Sequence, residues 1–129
     1  MRNHHRHRDT SGFTLVELLV VIVVIGILAT IAIPIYFRQR EAAYESAMRS
    51  DLRNAVTAET AYSADTGAFT VQPADLSAQG YKTSSGVTPV HVKLVAESFV
   101  ACVRHTAIST WLVYDGTSGK VTTSSSDCA

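Results

Sequence analysis

Cys102 and His105 stand as a Cys-x-x-His pair with Asp115 downstream, a set that could serve a thiolate nucleophile, its histidine base and an acidic partner. The spacing argues against that chemistry. In a β-rich run, residues three apart point to opposite faces, which spoils the hydrogen bond the reaction needs. Cys128 offers Cys102 a second chemistry, a disulfide, which an even cysteine count favours in an exported or membrane-anchored chain. His4, His5 and His7 could hold a metal loosely, but in a short basic segment they more simply add partial positive charge near neutral pH. The run Asp115-Gly116-Thr117-Ser118-Gly119 could collect oxygen ligands for calcium, and it also has the composition of a tight turn between strands, the simpler reading. No glycine-rich phosphate loop, zinc spacing or dinucleotide fingerprint is present, so no cofactor and no resident metal are expected. The most unusual residue is Glu17, at the head of a long apolar run. There a carboxylate at membrane depth costs on the order of 2.5 kcal/mol or more, unless it snorkels to the headgroups or meets a cation.

The elements that must position these groups follow from composition and periodicity. The chain has 129 residues, 47% of them hydrophobic and 17% charged, with a mean hydropathy of +0.15. That is about one domain, too apolar for a disordered chain. Eleven basic and eleven acidic residues cancel, which removes the footprint of a general nucleic-acid binder. The cancellation hides an asymmetry: residues 1 to 12 carry Arg2, Arg6 and Arg8 against Asp9, a net of +2, and the rest of the chain a net of −2. From Leu18 to Phe37 twenty residues pass without a charge, enough for a helix of roughly 30 Å, the thickness of a bilayer core. A cleaved secretory signal fits less well, because its apolar part is usually about 7 to 15 residues and an A-x-A site should follow. The arginines before the span favour an N-terminus inside, although Arg38 and Arg40 follow it closely. The cysteines make most sense on the oxidising side.

Gly12-Phe13-Thr14-Leu15-Val16-Glu17, with a short basic leader before it and the uncharged span after it, closely resembles the processing motif of type IV pilins and type II secretion pseudopilins. The resemblance implies cleavage between Gly12 and Phe13 by a membrane peptidase, and N-methylation of the new Phe13 amine by the same enzyme. It places Glu17 at the family's acidic position, where it pairs with the α-amine of a neighbouring subunit and each group relieves the other's desolvation. It also implies local melting of the helix between Gly26 and Pro34 on assembly. Pro34 cannot donate to the carbonyl of Thr30 and its ring crowds it, while Gly26 weakens the helix by about 1 kcal/mol. In an isolated subunit in lipid the helix should stay closed, with a kink near Pro34.

Residues 38 to 64 contain no Gly or Pro and place Tyr44, Met48, Leu52, Ala55, Val56 and Tyr62 at spacings near three or four. A continuous helix from about Phe13 to about Ala64 is expected, its second half presenting that stripe to a sheet rather than forming a ligand groove. Gly67 should end it, with an irregular connection over 65 to 86 containing Pro73; the stretch Tyr62 to Leu76, with its Gly67-x-Phe69 step, resembles the helix-to-sheet loop of pilins and pseudopilins. Val90, Val92 and Leu94 should face the helix, with His91 and Lys93 outward. Phe99 to Arg104, Thr110 to Tyr114 and Lys120 to Thr122 read as further strands, with Pro89 at a strand start or an edge.

The expected fold is therefore α+β, a long N-terminal helix whose second half packs on an antiparallel sheet of three or four strands. The chain reads as a leader (1–12), a hydrophobic transmembrane and assembly segment (13–37) and an extracytoplasmic head (38–129). The resemblance implies a type IV pilus subunit without catalysis of its own. It would be inserted in the cytoplasmic membrane, processed by the prepilin peptidase and polymerised by a membrane assembly platform into a homo-oligomeric helical filament at the cell surface. The Cys102 and Cys128 pair leans the reading towards a pilin, with a type II secretion pseudopilin as the alternative within the family. From another class, an uncleaved single-span protein carrying a binding module or enzyme is the competitor.

Overall fold

The structure, a computed structural model, describes residues 12–128. The expected leader up to Ser11, with His4, His5 and His7, lies outside the described residues. The chain divides into two units, Met1–Arg38 and Gln39–Ala129.

The element order is α1 (Leu15–Thr66), α2 (Pro73–Ala78), β1 (His91–Val95), β2 (Ser98–Arg104), β3 (Trp111–Asp115) and β4 (Lys120–Ser124). In the first unit α1 is apolar all round, as a helix surrounded by lipid or by other helices must be. It includes an 18-residue window of mean hydropathy 3.1 and is long and apolar enough to cross a membrane. In the second unit α1 becomes one-sided. Its buried residues are Met48, Asp51, Leu52, Ala55, Ala58 and Glu59, a three-and-four pattern that marks a single face. The helix starts two residues later than expected and ends two later, at Thr66; Gly67 follows with φ +79° and donates its N–H to Ser63 O at 2.8 Å.

The sheet is an antiparallel meander in the order β1-β2-β3-β4. Alternation sends Phe99, Ala101 and Val103 of β2 and Leu112 of β3 into one core with Met48, Leu52, Ala55 and Ala58 of α1. Leu76, Tyr81, Val87 and Val90, from the segment between helix and sheet, complete that core. Pro89 precedes β1, an edge strand, where its missing N–H interrupts no ladder.

One expectation needs correcting, and another holds in direction without burial. The connection over 65 to 86 is not wholly irregular, because Pro73 opens the one-and-a-half turns of α2; proline's fixed φ suits a first helical position, so it is a start signal as well as a breaker. Leu94 is on the core side of the sheet, opposite Phe99, but it overhangs the packed layer and is 48% exposed. On β1 the packed layer ends at Val92, and Lys93, Leu94 and Val95 are all exposed.

Candidate functional site

Gly12, Phe13 and Thr14 lie outside the helix, with Phe13 84% exposed. The helix then opens with a pairing not anticipated above. Glu17 N–H donates to Thr14 Oγ1 at 3.1 Å, and Thr14 N–H reaches Glu17 Oε2 at 3.4 Å. This is a capping box, Thr-x-x-Glu, which satisfies two of the N–H groups that the first helical turn leaves without partners. Its signature was legible in Thr14-Leu15-Val16-Glu17, but the family motif drew attention to the carboxylate alone. The Glu17 carboxylate thus has a structural task within its own chain, next to a residue, Phe13, that is open to solvent. Every large apolar side chain from Phe13 to Phe37 is exposed within the chain, so this surface is covered only by lipid or by other molecules.

Further along, α1 runs unbroken through Gly26 and Pro34. Thr30 Oγ1 donates to Gly26 O at 2.8 Å, so the Gly26 carbonyl is held by a side chain, while Pro34 gives the Thr30 carbonyl no donor.

In the second unit, Cys102 and Cys128 are joined in a disulfide with a Cα–Cα distance of 6.0 Å. Cys102 lies on the sheet face opposite the core and is buried all the same. The chain after β4 brings Cys128 to it, and Cys128 N–H donates to Cys102 Sγ at 3.2 Å. On the same face His91 Nδ1 pairs with Asp127 Oδ2 at 2.6 Å. His91, Cys102 and Asp127 stand close enough together to suggest a metal cluster, but the Cys102 sulfur is committed to the disulfide and offers no thiolate.

His105 is on the other side of the sheet. Its ring stacks on Tyr44 of α1 with centroids 3.9 Å apart, and its Nδ1 accepts Ala107 N–H at 3.1 Å. Arg40 hydrogen-bonds the Tyr44 hydroxyl in turn. The structure therefore separates Cys102 from His105, and the Cys-x-x-His pair is not a nucleophile with its base. Met48 is core, its sulfur accepting His105 N–H at 3.0 Å, and Tyr44 stands half-buried beside it. Asp115 closes the β3–β4 turn, accepting Thr117 N–H at 2.8 Å and the Ser118 hydroxyl at 2.9 Å. These donors hold its carboxyl below the usual range.

Two buried carboxylates on α1 were missed, although they stand three residues after Met48 and four after Ala55 on the apolar stripe. Asp51 accepts Ser84 N–H at 2.7 Å and the Ser84 hydroxyl at 2.6 Å. Glu59 accepts Thr70 N–H at 3.2 Å. Both fasten the segment between helix and sheet to α1. Burial pushes the Glu59 carboxyl up, opposed in part by the Thr70 N–H and reinforced by the charge of Asp75.

The chain matches the prokaryotic N-terminal methylation motif over residues 7–33. It is 34% identical over 105 residues to the type IV wide pilus major component PilA4 of Thermus thermophilus, covering 81% of this chain and 80% of that protein. It is 33% identical over 98 residues to the competence protein ComGC of Bacillus subtilis, covering 75% of this chain and 99% of that one. A shorter match, 33% over 64 residues, covers 50% of this chain and 45% of the type II secretion system core protein G of Pseudomonas aeruginosa. With the motif, the apolar helix and the antiparallel head all in place, the chain belongs to the type IV pilin and pseudopilin family.

Proposed function

We propose that this protein is a type IV pilus subunit, made as a membrane-inserted precursor, cut after Gly12, N-methylated on Phe13 and polymerised into a filament. The observation that carries the reading is the first unit: a helix whose large apolar residues are all exposed, capped by Glu17 through Thr14, which follows an exposed Phe13. A single copy of such a surface is stable in lipid and, outside lipid, only against other copies. Cleavage at Gly12 frees the Phe13 amine close to the Glu17 carboxylate of its own chain and of neighbours. In the filament that carboxylate takes a neighbour's amine, and the leader, membrane span and head act in sequence as address, anchor and surface. The reading assigns the chain no catalysis. Its partners are the prepilin peptidase, the assembly platform, membrane lipid before assembly, and further copies of itself. Helix melting between Gly26 and Pro34 on assembly belongs to the same proposal, supported by the glycine and by the carbonyl that Pro34 leaves without a donor.

A type II secretion pseudopilin is the second reading, favoured by the match to core protein G. The broader coverage of the pilus component supports the first. Intact mass and N-terminal sequencing of protein sheared from cells test the proposal. The expected product begins with N-methylated Phe13 and dominates the sheared filaments. Retention of Met1 in the functional form would remove both filament readings in favour of an uncleaved anchored module. A mature chain absent from surface filaments but required for protein export would select the pseudopilin.

A further inference from the structure

Glu59 sits on the core stripe of α1 with no exposure to solvent. One carboxylate oxygen, Oε2, accepts Thr70 N–H; the other, Oε1, is buried with no hydrogen-bond partner. The Thr70 hydroxyl cannot supply the missing proton, because it donates to Asp75 Oδ2 at 2.6 Å while accepting Gln72 N–H at 3.0 Å. Asp75, from α2, is a second acid close enough to act electrostatically on the first. Phe69, in the segment that Thr70 ties to Glu59, packs on Phe99 of β2 with ring centroids 4.8 Å apart. Among the described residues the ion pairs are Arg49 with Glu45 and His91 with Asp127, so no cationic side chain is paired with Glu59 or Asp75.

A buried carboxylate without a counter-ion must be neutralised. Calcium would need six to eight oxygens, and the free oxygens of two carboxylates are a poor start. A proton needs one acceptor and one site. We propose that Glu59, Thr70 and Asp75 form a proton-binding latch, in which a proton neutralises buried Glu59 beside half-buried Asp75 and fastens the Phe69–Leu76 segment to α1. Protonation at Oε1 removes the buried negative charge and with it the repulsion from Asp75, while the Thr70 N–H bond to the other oxygen persists.

The direction with pH follows from the raised affinity of Glu59 for its proton over the ordinary carboxyl value of 4.5. Below that value both the folded and the unfolded chain hold the proton, and the latch contributes in full. As pH rises through it, the unfolded chain releases the proton first, and the contribution is lost as pH passes the folded value. The head is thus held more firmly in mild acid than at neutral pH.

The test uses the full chain in detergent micelles, with carboxyl-labelled glutamate followed by NMR and the Thr70 and Gln72 amides followed by hydrogen exchange. The resonance that disappears in Glu59→Gln should titrate above the ordinary carboxyl value of 4.5. Protection of both amides, corrected for intrinsic exchange, should fall about tenfold for each pH unit between the unfolded and folded values. In Glu59→Gln, whose amide imitates the protonated acid, protection should stay high and flat. Asp75→Asn should move the Glu59 titration down towards the ordinary range with the fold retained. Titration of Glu59 at or below the ordinary carboxyl value of 4.5 would overturn the latch, as would a Glu59→Gln protein that follows the wild-type curve. Calcium added at fixed pH that raises protection in the wild type, and not in Glu59→Gln, would overturn it in favour of a metal.

Discussion

Glu17 has two tasks, and they come apart on substitution. Its carboxylate caps its own helix through Thr14, worth about 1 kcal/mol by analogy with other caps, and in the proposed filament it meets a neighbour's amine. Glu17→Gln keeps an oxygen for Thr14 N–H but loses the charge, whereas Glu17→Ala loses both. Both variants should insert into membranes as well as the native chain or better, because a charge at depth is gone. Filament yield in sheared fractions should fall at least ~10-fold in both, the loss expected when a buried pair worth several kcal/mol loses one partner. Native yield from Glu17→Gln alone would leave the residue as a cap and nothing more. Gly12→Val should leave an uncut precursor on immunoblots, since a branched side chain opposes the close backbone approach a peptidase cleft requires. In the head, Gly86 has φ +80°, and a Cβ there would stand 2.5 Å from His105 Nε2. The ring cannot retreat, because Tyr44 stacks against it. Gly86→Ala should therefore destabilise the head by about 1 to 3 kcal/mol in thermal unfolding. Of these contacts the sequence shows only the residue types. Glu17 was legible through a motif, whereas Glu59 and Asp51 look like ordinary solvated helix charges until the partners that bury them, eleven and thirty-three residues away, are in place.

Elements were easier to read than contacts, because periodicity is local and burial is not. The apolar run, the stripe from Met48 to Ala58 and the glycine-rich turn after Asp115 each announced an element within one or two residues of its observed ends. The β1–β2 hairpin gave no such signal. Val95 pairs with Ser98 around Ala96 and Glu97, and Ala96 takes φ +51°, a region where glycine is the usual choice. Ala96→Gly should consequently stabilise the head by about 1 kcal/mol, read as a raised melting temperature; an unchanged or lowered one would mean that the turn is not strained. Pro34 is an element-scale feature too. Pro34→Ala restores a donor to the Thr30 carbonyl, so it should spare insertion while stiffening the filament or hindering its assembly. A filament map with unbroken helix from Gly26 to Pro34 would defeat the melting proposal.

At the scale of the whole molecule, the legible part was the contrast between two kinds of surface: a run of twenty uncharged residues near the N-terminus, and a mixed remainder with alternating strands and two late cysteines. What polarity patterns could not show was which strand ends escape the core, as at Leu94, or that the core is closed by the segment from Leu76 to Val90 rather than by helix and sheet alone. Those outcomes depend on how far each strand outruns the layer it packs on. The disulfide, 26 residues in sequence separation, is a whole-head constraint, worth about 3 to 4 kcal/mol on the chain-entropy account. Cys102→Ser with Cys128→Ser should lower head stability by that order in denaturant titrations.

The same covalent ring encloses β3 and β4 completely. Under a pulling force, the hydrogen bonds of those two strands can rupture without releasing any of the chain between Cys102 and Cys128, because load passes through the sulfurs. A single head stretched in a force trap should therefore give up less length when oxidised than when reduced, by about 90 Å at ~3.5 Å per residue. In a thin fibre under tension, the closed ring makes half of the sheet inextensible and limits how far a strained head can lengthen before it recovers.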